Sequence, residues 1–175
     1  RHVSGLHPDV AAVTRAQLMS HSAGLMRDGR DSGQWVERRP FLDDAEVRAD
    51  LADGTTIDAN TRFKYSNHGY GLLGQAIEAI TGEAYRDFVA REVVHAEEVT
   101  DYTPAGLHDT LPDVPPEGAA GLNLASGHSS KWPVGERLVI PATMDTQGLS
   151  AATGFISTAS DLARFFASLS PLAKK

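Results

Sequence analysis

Residues 62–82 read RFKYSNHGYGLLGQAIEAITG, a polar doorway followed by a helical period. From Gly69 onward Leu73, Ala76, Ile77 and Ile80 recur at i, i+3, i+4 and i+7, one stripe of an α-helix. Gly82 stands where a left-handed C-terminal cap belongs. A second helix, from about Ala84 to Val94 with Tyr85, Phe88 and Val89 inward, follows at once, so the pair predicts an αα-hairpin. The doorway has two readings. In one, Asn67 caps the helix and Tyr65 is a core aromatic, and spacing alone favours this reading. In the other, Tyr65 and Asn67, at i and i+2 of extended chain, share a face and offer a phenol and a carboxamide to a substrate, with Lys64 on the opposite face. A free phenol titrates at about 10, so a tyrosine that moves protons at neutral pH needs cationic neighbours.

Upstream, Thr14-Arg-Ala-Gln17 is a capping box that starts a helix through Leu18 and Met19, with Gly24 as its stop after His21-Ser22-Ala23. Residues 26–40, with Gly29, Gly33 and Pro40, read as a loop. Asp43 and Asp44 place negative charge at the start of a short helix in AEVRADLA. ADGTTIDANTRF carries turn signals around Ile57 and reads as a long loop or a short hairpin. Downstream, residues 100–142 are rich in proline and glycine, and only LNLA and RLVI resemble strands. A stretch of this kind inside a compact domain is often a functional or bridging loop. In GLSAATGFISTASDLARFFASL, Phe155 and Ile156 suggest a short strand. Thr158-Ala-Ser-Asp161 is an acidic variant of the capping box, and Leu162, Phe165, Phe166 and Leu169 mark an amphipathic helix.

The chain has 175 residues, enough for one domain with its own core. Sixteen Lys and Arg against 23 Asp and Glu give a net charge of -7. That balance, with the basic residues scattered, argues against a nucleic-acid or anionic-membrane surface. The absence of cysteine excludes disulfides, zinc-thiolate sites and a thiol nucleophile, and leaves the compartment open. No run approaches the roughly 18 apolar residues a membrane span needs. The seven histidines form no His-Glu-x-x-His pair, and no EF-hand loop or phosphate-binding glycine loop occurs, so no metal and no cofactor are expected. A nucleophile elbow, Gly-x-Ser-x-Gly, is missing as well; Gly148-Leu-Ser150-Ala-Ala lacks the last glycine.

Four stretches in order carry a resemblance. Tyr65-Ser66-Asn67-His-Gly-Tyr-Gly-Leu-Leu-Gly resembles the Tyr-Ser-Asn segment of the β-lactamase-related serine hydrolases, which span class C β-lactamases, D-alanyl-D-alanine peptidases and esterases. Leu18-Met-Ser-His-Ser-Ala-Gly24-Leu25 is similar to their "LLTHTSGL" helix and turn. Gly82-Glu-Ala-Tyr85-Arg-Asp-Phe88 resembles the following helix, and Gly154-Phe-Ile-Ser157-Thr158-Ala-Ser-Asp161-Leu-Ala-Arg164-Phe resembles a later strand and helix.

The resemblance implies an acyl-transfer site in which the serine of a Ser-x-x-Lys motif attacks a carbonyl. It makes Tyr65 the acid/base residue, Asn67 the amide that orients substrate, and Ser66 a structural residue. No Ser-x-x-Lys, Lys-Thr-Gly or His-x-Gly occurs in the 175 residues, so the nucleophile is not in this chain. The chain opens RHVSGLHPDV without an initiator Met and ends abruptly in PLAKK. The expectation is therefore a middle segment, residues 1–175 forming one unit of a larger β-lactamase/transpeptidase-like domain. It would be mainly α with a few short β-strands, the helical region of that α/β fold without most of the main sheet. Residues 14–99 would be its helical part, 100–142 a long loop region and 148–170 a strand and helix. An apolar face should be exposed where the sheet would pack, so the expected partners are the missing segments of the fold or a second copy, besides a small amide or ester substrate. Such a chain alone turns over little or nothing. The alternative is a non-catalytic helical binding module that keeps the scaffold. Substrate selectivity would lie in loops such as 26–40 and 100–142.

Overall fold

A computed structural model describes residues 2–36, 39–96, 106–113, 121–128, 136–137, 139–140 and 145–170. Most of the long 100–142 loop lies outside the described residues. Six α-helices occur among them: α1 (Pro8–Ala11), α2 (Arg15–Met19), α3 (Asp44–Asp50), α4 (Asn67–Thr81), α5 (Tyr85–Val89) and α6 (Ala159–Ser168). Short 3-10 turns span Gly33–Val36 and Gln147–Leu149, and a π turn, Ala90–Val94, continues α5. Two two-residue strands, β1 (Gly127–His128) and β2 (Val139–Ile140), pair antiparallel, Gly127 opposite Ile140.

Local chemistry starts the helices where the sequence signals stand. Thr14 accepts from the Gln17 amide at 3.2 Å and Gln17 returns the bond to the Thr14 amide at 2.7 Å, a closed capping box. Asp43 and Glu46 make the same reciprocal pair at α3. The α4–α5 hairpin turns on Gly82, whose φ of 77° supplies the left-handed cap. Helix α1 went unread in the sequence; Pro8 at its first turn and the His7 ring, accepting from the Asp9 amide, begin it.

Four expectations are corrected. Helix α2 stops at Met19, because His21, not Gly24, takes the first left-handed conformation (φ 55°). The buried face of α4 is His68, Gly71, Leu72 and Gln75, whereas Leu73, Ala76 and Ile77 are half-buried and Ile80 is 59% exposed. The reason is close approach: a Cβ on Gly71 would stand 2.7 Å from the Gly148 carbonyl oxygen, so the 147–149 turn sits directly on the helix backbone. LNLA is not a strand, while RLVI supplies β2 with its last two residues. Ile156 forms a single antiparallel bridge with Leu111 rather than a strand.

Two cores result. The larger joins α1–α4 and the 147–149 turn through Val10, Leu25, Val47, Leu51, Leu72 and Leu149. The smaller packs Val89, Val94 and Leu107 with Tyr85, Phe88 and Phe165. On α6, Phe165 faces that core, but Leu162, Phe166 and Leu169 are 48, 66 and 56% exposed.

Asp161 is where the acidic capping variant departs from the box. Its amide does donate to Thr158, but its carboxylate accepts from the Asp109 amide, Thr110 and Arg164 instead of closing the box. Burial pushes this carboxyl up, yet the three donors outweigh it and hold it below its ordinary value. A carboxyl depressed in the folded state adds stability above its unfolded value, about 4, and loses it as pH falls through the folded value. Asp161→Asn is therefore expected to lower the thermal midpoint at pH 7 and to flatten its fall on acidification. Equal midpoints for both proteins across pH 2–7 would refute that role.

Candidate active site

Helix α4 begins at the doorway, and its cap is Ser66, not Asn67. The Ser66 hydroxyl accepts from the Gly69 amide at 2.9 Å and donates to the Met26 carbonyl at 2.6 Å. One serine thus starts the helix and ties the doorway to the 26–28 loop. Its own amide donates to Nδ1 of His21 at 3.2 Å. Removing both hydroxyl bonds with Ser66→Ala should cost about 1–2 kcal/mol, measured from urea unfolding.

With the cap assigned to Ser66, Asn67 is free for another use. Its backbone amide donates to the Arg27 carbonyl at 2.9 Å, and its side-chain Nδ2 donates to Asp28 Oδ1 at 2.6 Å. The other Asp28 oxygen holds Arg27 Nε at 2.9 Å. The Arg27 guanidinium in turn lies over the Tyr65 ring, 5.5 Å from its centroid. The cation that meets Tyr65 therefore comes from the loop, thirty-eight residues upstream, rather than from Lys64. Tyr65 also meets the His21 ring, tilted, at 4.5 Å between centroids, and His21 meets Tyr70 at 5.0 Å. Tyr65 stays 42% exposed, and its hydroxyl makes no hydrogen bond among the described residues.

Tyr65 and Asn67 line one open cleft of about 550 Å³. Arg27, Asp28, Ser32, Trp35, Ala152 and Thr153 line it with them. Behind the cleft, buried His68 pairs with Asp50 at 3.1 Å and locks the first turn of α4 to the end of α3. A shallower hollow of about 360 Å³ gathers Asp43, Asp44, Glu78 and Asp113 on a different face. Burial, reinforced by Glu78, raises the Asp44 carboxyl, and burial raises Asp113 against the Thr146 bonds that lower it. Among the described residues no group of three or more histidines and acids could hold a metal ion, and no helix is long and apolar enough to cross a membrane.

The sequence brought Tyr65 and Asn67 forward but missed Arg27, Asp28, Trp35, His21, Ala152 and Thr153. A weak signal existed for the first three, since they lie in the 26–40 loop marked for selectivity.

The comparisons with known proteins give the family and the fold. The beta-lactamase family model matches residues 1–175, and the chain belongs to that family. Penicillin-binding protein 4 of Amycolatopsis lactamdurans is 29% identical over 119 residues, covering 66% of this chain and 27% of that protein. Among solved structures, the D-stereospecific amidohydrolase of a Streptomyces species superposes with a TM-score of 0.64 at 21% identity, over 90% of this chain and 46% of its own. The D-amino acid amidase of Ochrobactrum anthropi SV3 also gives 0.64, at 23% identity, over 91% and 43%. These neighbours establish a β-lactamase/transpeptidase-like fold, and the chain spans less than half the length of each of the three.

Proposed function

We propose that this chain supplies the Tyr-x-Asn half of a serine hydrolase site that acts on an amide or ester through an acyl-enzyme. Tyr65 is the acid/base residue and Asn67 orients the substrate beside it. The serine and lysine come from a Ser-x-x-Lys segment that the 175 residues do not contain. In the first step the serine oxygen bonds to the carbonyl carbon, and its proton passes by way of the lysine and Tyr65 to the departing nitrogen or oxygen. Water then attacks the ester carbonyl, its hydroxyl completing the acid and its other proton passing to the serine oxygen as that bond breaks.

The observation that carries the reading is the shared cleft: an exposed phenol with a guanidinium over its ring, next to a carboxamide that the fold holds but does not consume as a cap. The substrate is a β-lactam, a D-alanyl peptide or a short ester. The 1–175 segment is a unit of a larger domain, short of most of the main sheet, and the exposed stripe of Leu162, Phe166 and Leu169 on α6 is a surface for the rest of the fold or for a second copy.

Mixing this chain with a separate segment bearing Ser-x-x-Lys tests the proposal. Nitrocefin or p-nitrophenyl ester cleavage should appear in the mixture and in neither part alone. A stably associated mixture that stays silent on both would favour the second reading, a non-catalytic helical binding module. The missing nucleophile is the observation that keeps that reading in play.

A further inference from the structure

We infer that His21 is the positioning residue for Tyr65, its ring nitrogen and its carbonyl oxygen together holding the chain on both sides of the phenol. The inference rests on Tyr65 being the acid/base residue and adds the group that aims it. Tyr65 is not held by its own hydroxyl, which makes no hydrogen bond among the described residues, and the residue is 42% exposed. Its flanking peptides are held instead. The Lys64 amide donates to the His21 carbonyl at 2.7 Å, and the Ser66 amide donates to His21 Nδ1 at 3.2 Å. An imidazole nitrogen accepts only when it carries no proton, so the second bond makes Nδ1 the bare nitrogen and leaves the ring proton on Nε2. The ring fixed in this way lies 4.5 Å from that of Tyr65 between centroids, with Phe63 and Tyr70 at 5.5 and 5.0 Å. The guanidinium over the phenol ring restrains it less, because the Arg27 side chain is long and 69% exposed.

The backbone of His21 supports the same reading. Its φ is 55°, a conformation that glycine takes without strain. A side chain kept there against that strain points to a use for the side chain.

Three substitutions separate the acceptor, the ring and the strain. His21→Asn tolerates the left-handed backbone and sets a carboxamide oxygen where Nδ1 stood. His21→Phe keeps a ring and removes the acceptor. His21→Gly removes both and relieves the strain. The first readout is the pair of three-bond Hα–Hβ couplings of Tyr65 in the 175-residue chain alone. The native chain and His21→Asn should show one large and one small coupling, a single χ1 rotamer. In His21→Phe and His21→Gly the two couplings should converge as rotamers mix. The second readout is nitrocefin turnover in the mixture with a Ser-x-x-Lys segment. There His21→Phe and His21→Gly should lower kcat about 10- to 100-fold with KM little changed, the scale of a misplaced reacting group. His21→Asn should keep most of the turnover.

A single Tyr65 rotamer in His21→Gly, or mixed rotamers in His21→Asn, overturns the inference and leaves the acyl site standing. So does a His21→Phe chain that matches the native one, since ring contact alone would then aim the phenol. A native mixture that turns nothing over defeats the acyl-site reading, and the couplings still decide the role of His21. Backbone amide spectra show which variants are folded; His21→Gly, free of strain, carries the test if His21→Phe is not.

Discussion

Gly24→Ala is expected to cost about 3–5 kcal/mol of stability, from strained backbone combined with a steric clash. Gly24 has φ 77°, and a Cβ there would stand 2.0 Å from the Ile57 carbonyl oxygen, backbone that has little room to yield. The Gly24 carbonyl also accepts from the Thr56 amide at 2.8 Å and the Thr56 hydroxyl at 2.9 Å. The same seam continues through Asn60 to Ser22 and Lys64 to His21, at 2.8 and 2.7 Å, and so delivers the chain to Tyr65. Opening it at Gly24 disturbs core and doorway together. Gly82→Ala is the control: φ is again 77°, but no atom lies within 4 Å of the new methyl. Only the left-handed strain remains, about 1–2 kcal/mol. Urea unfolding of both variants checks the contrast, and equal losses would contradict it.

The largest effect on activity belongs to Tyr65→Phe. In the mixture with a Ser-x-x-Lys segment it should lower nitrocefin or ester turnover by roughly 10²- to 10⁴-fold, the range for removing a positioned acid/base. Its effect on stability should be small, because the lost hydroxyl makes no hydrogen bond among the described residues and the ring contacts with His21 and Arg27 remain. Activity lost with an unchanged thermal midpoint is the expected pair of results. Retained activity would make Tyr65 a wall of the cleft and nothing more.

What could be read from sequence was local. The Thr14–Gln17 capping box and the Gly82 turn use partners within a few residues, so their signals survive without knowledge of the fold, whereas the Asp43–Glu46 box was read only as acidic charge at a helix start. The buried face of α4 was misread because close backbone approach selects glycine, and Gly71 and Gly74 carry no hydrophobic signature. A Cβ on Gly74 would meet that of Ala151 at 2.8 Å. The end of α2 was misplaced because a histidine, held by its ring contacts with Tyr65 and Tyr70, took the conformation that glycine usually supplies.

The site was half legible for the same reason. Tyr65 and Asn67 sit in a recognisable motif, and the hydroxyl of Ser66 between them caps α4 and bonds the Met26 carbonyl. Asp28 reaches Asn67 across 39 residues, from an aperiodic loop where no spacing rule applies. Asp161 shows the limit from the other side: its box was visible, but its carboxylate went to Asp109 and Thr110, 52 and 51 residues away.

Selective ¹⁵N-asparagine labelling offers the most direct test of the central claim, that the Asn67 carboxamide and the Tyr65 phenol face the bound acyl group. The chain holds three asparagines, Asn60, Asn67 and Asn123, so three side-chain amide pairs are observed. In a mixture with a Ser-x-x-Lys segment, forming the acyl-enzyme with a penicillin should shift the Asn67 pair strongly and leave Asn60 and Asn123 in place. A covalent adduct confirmed by intact mass, with the Asn67 pair unmoved, would contradict the account.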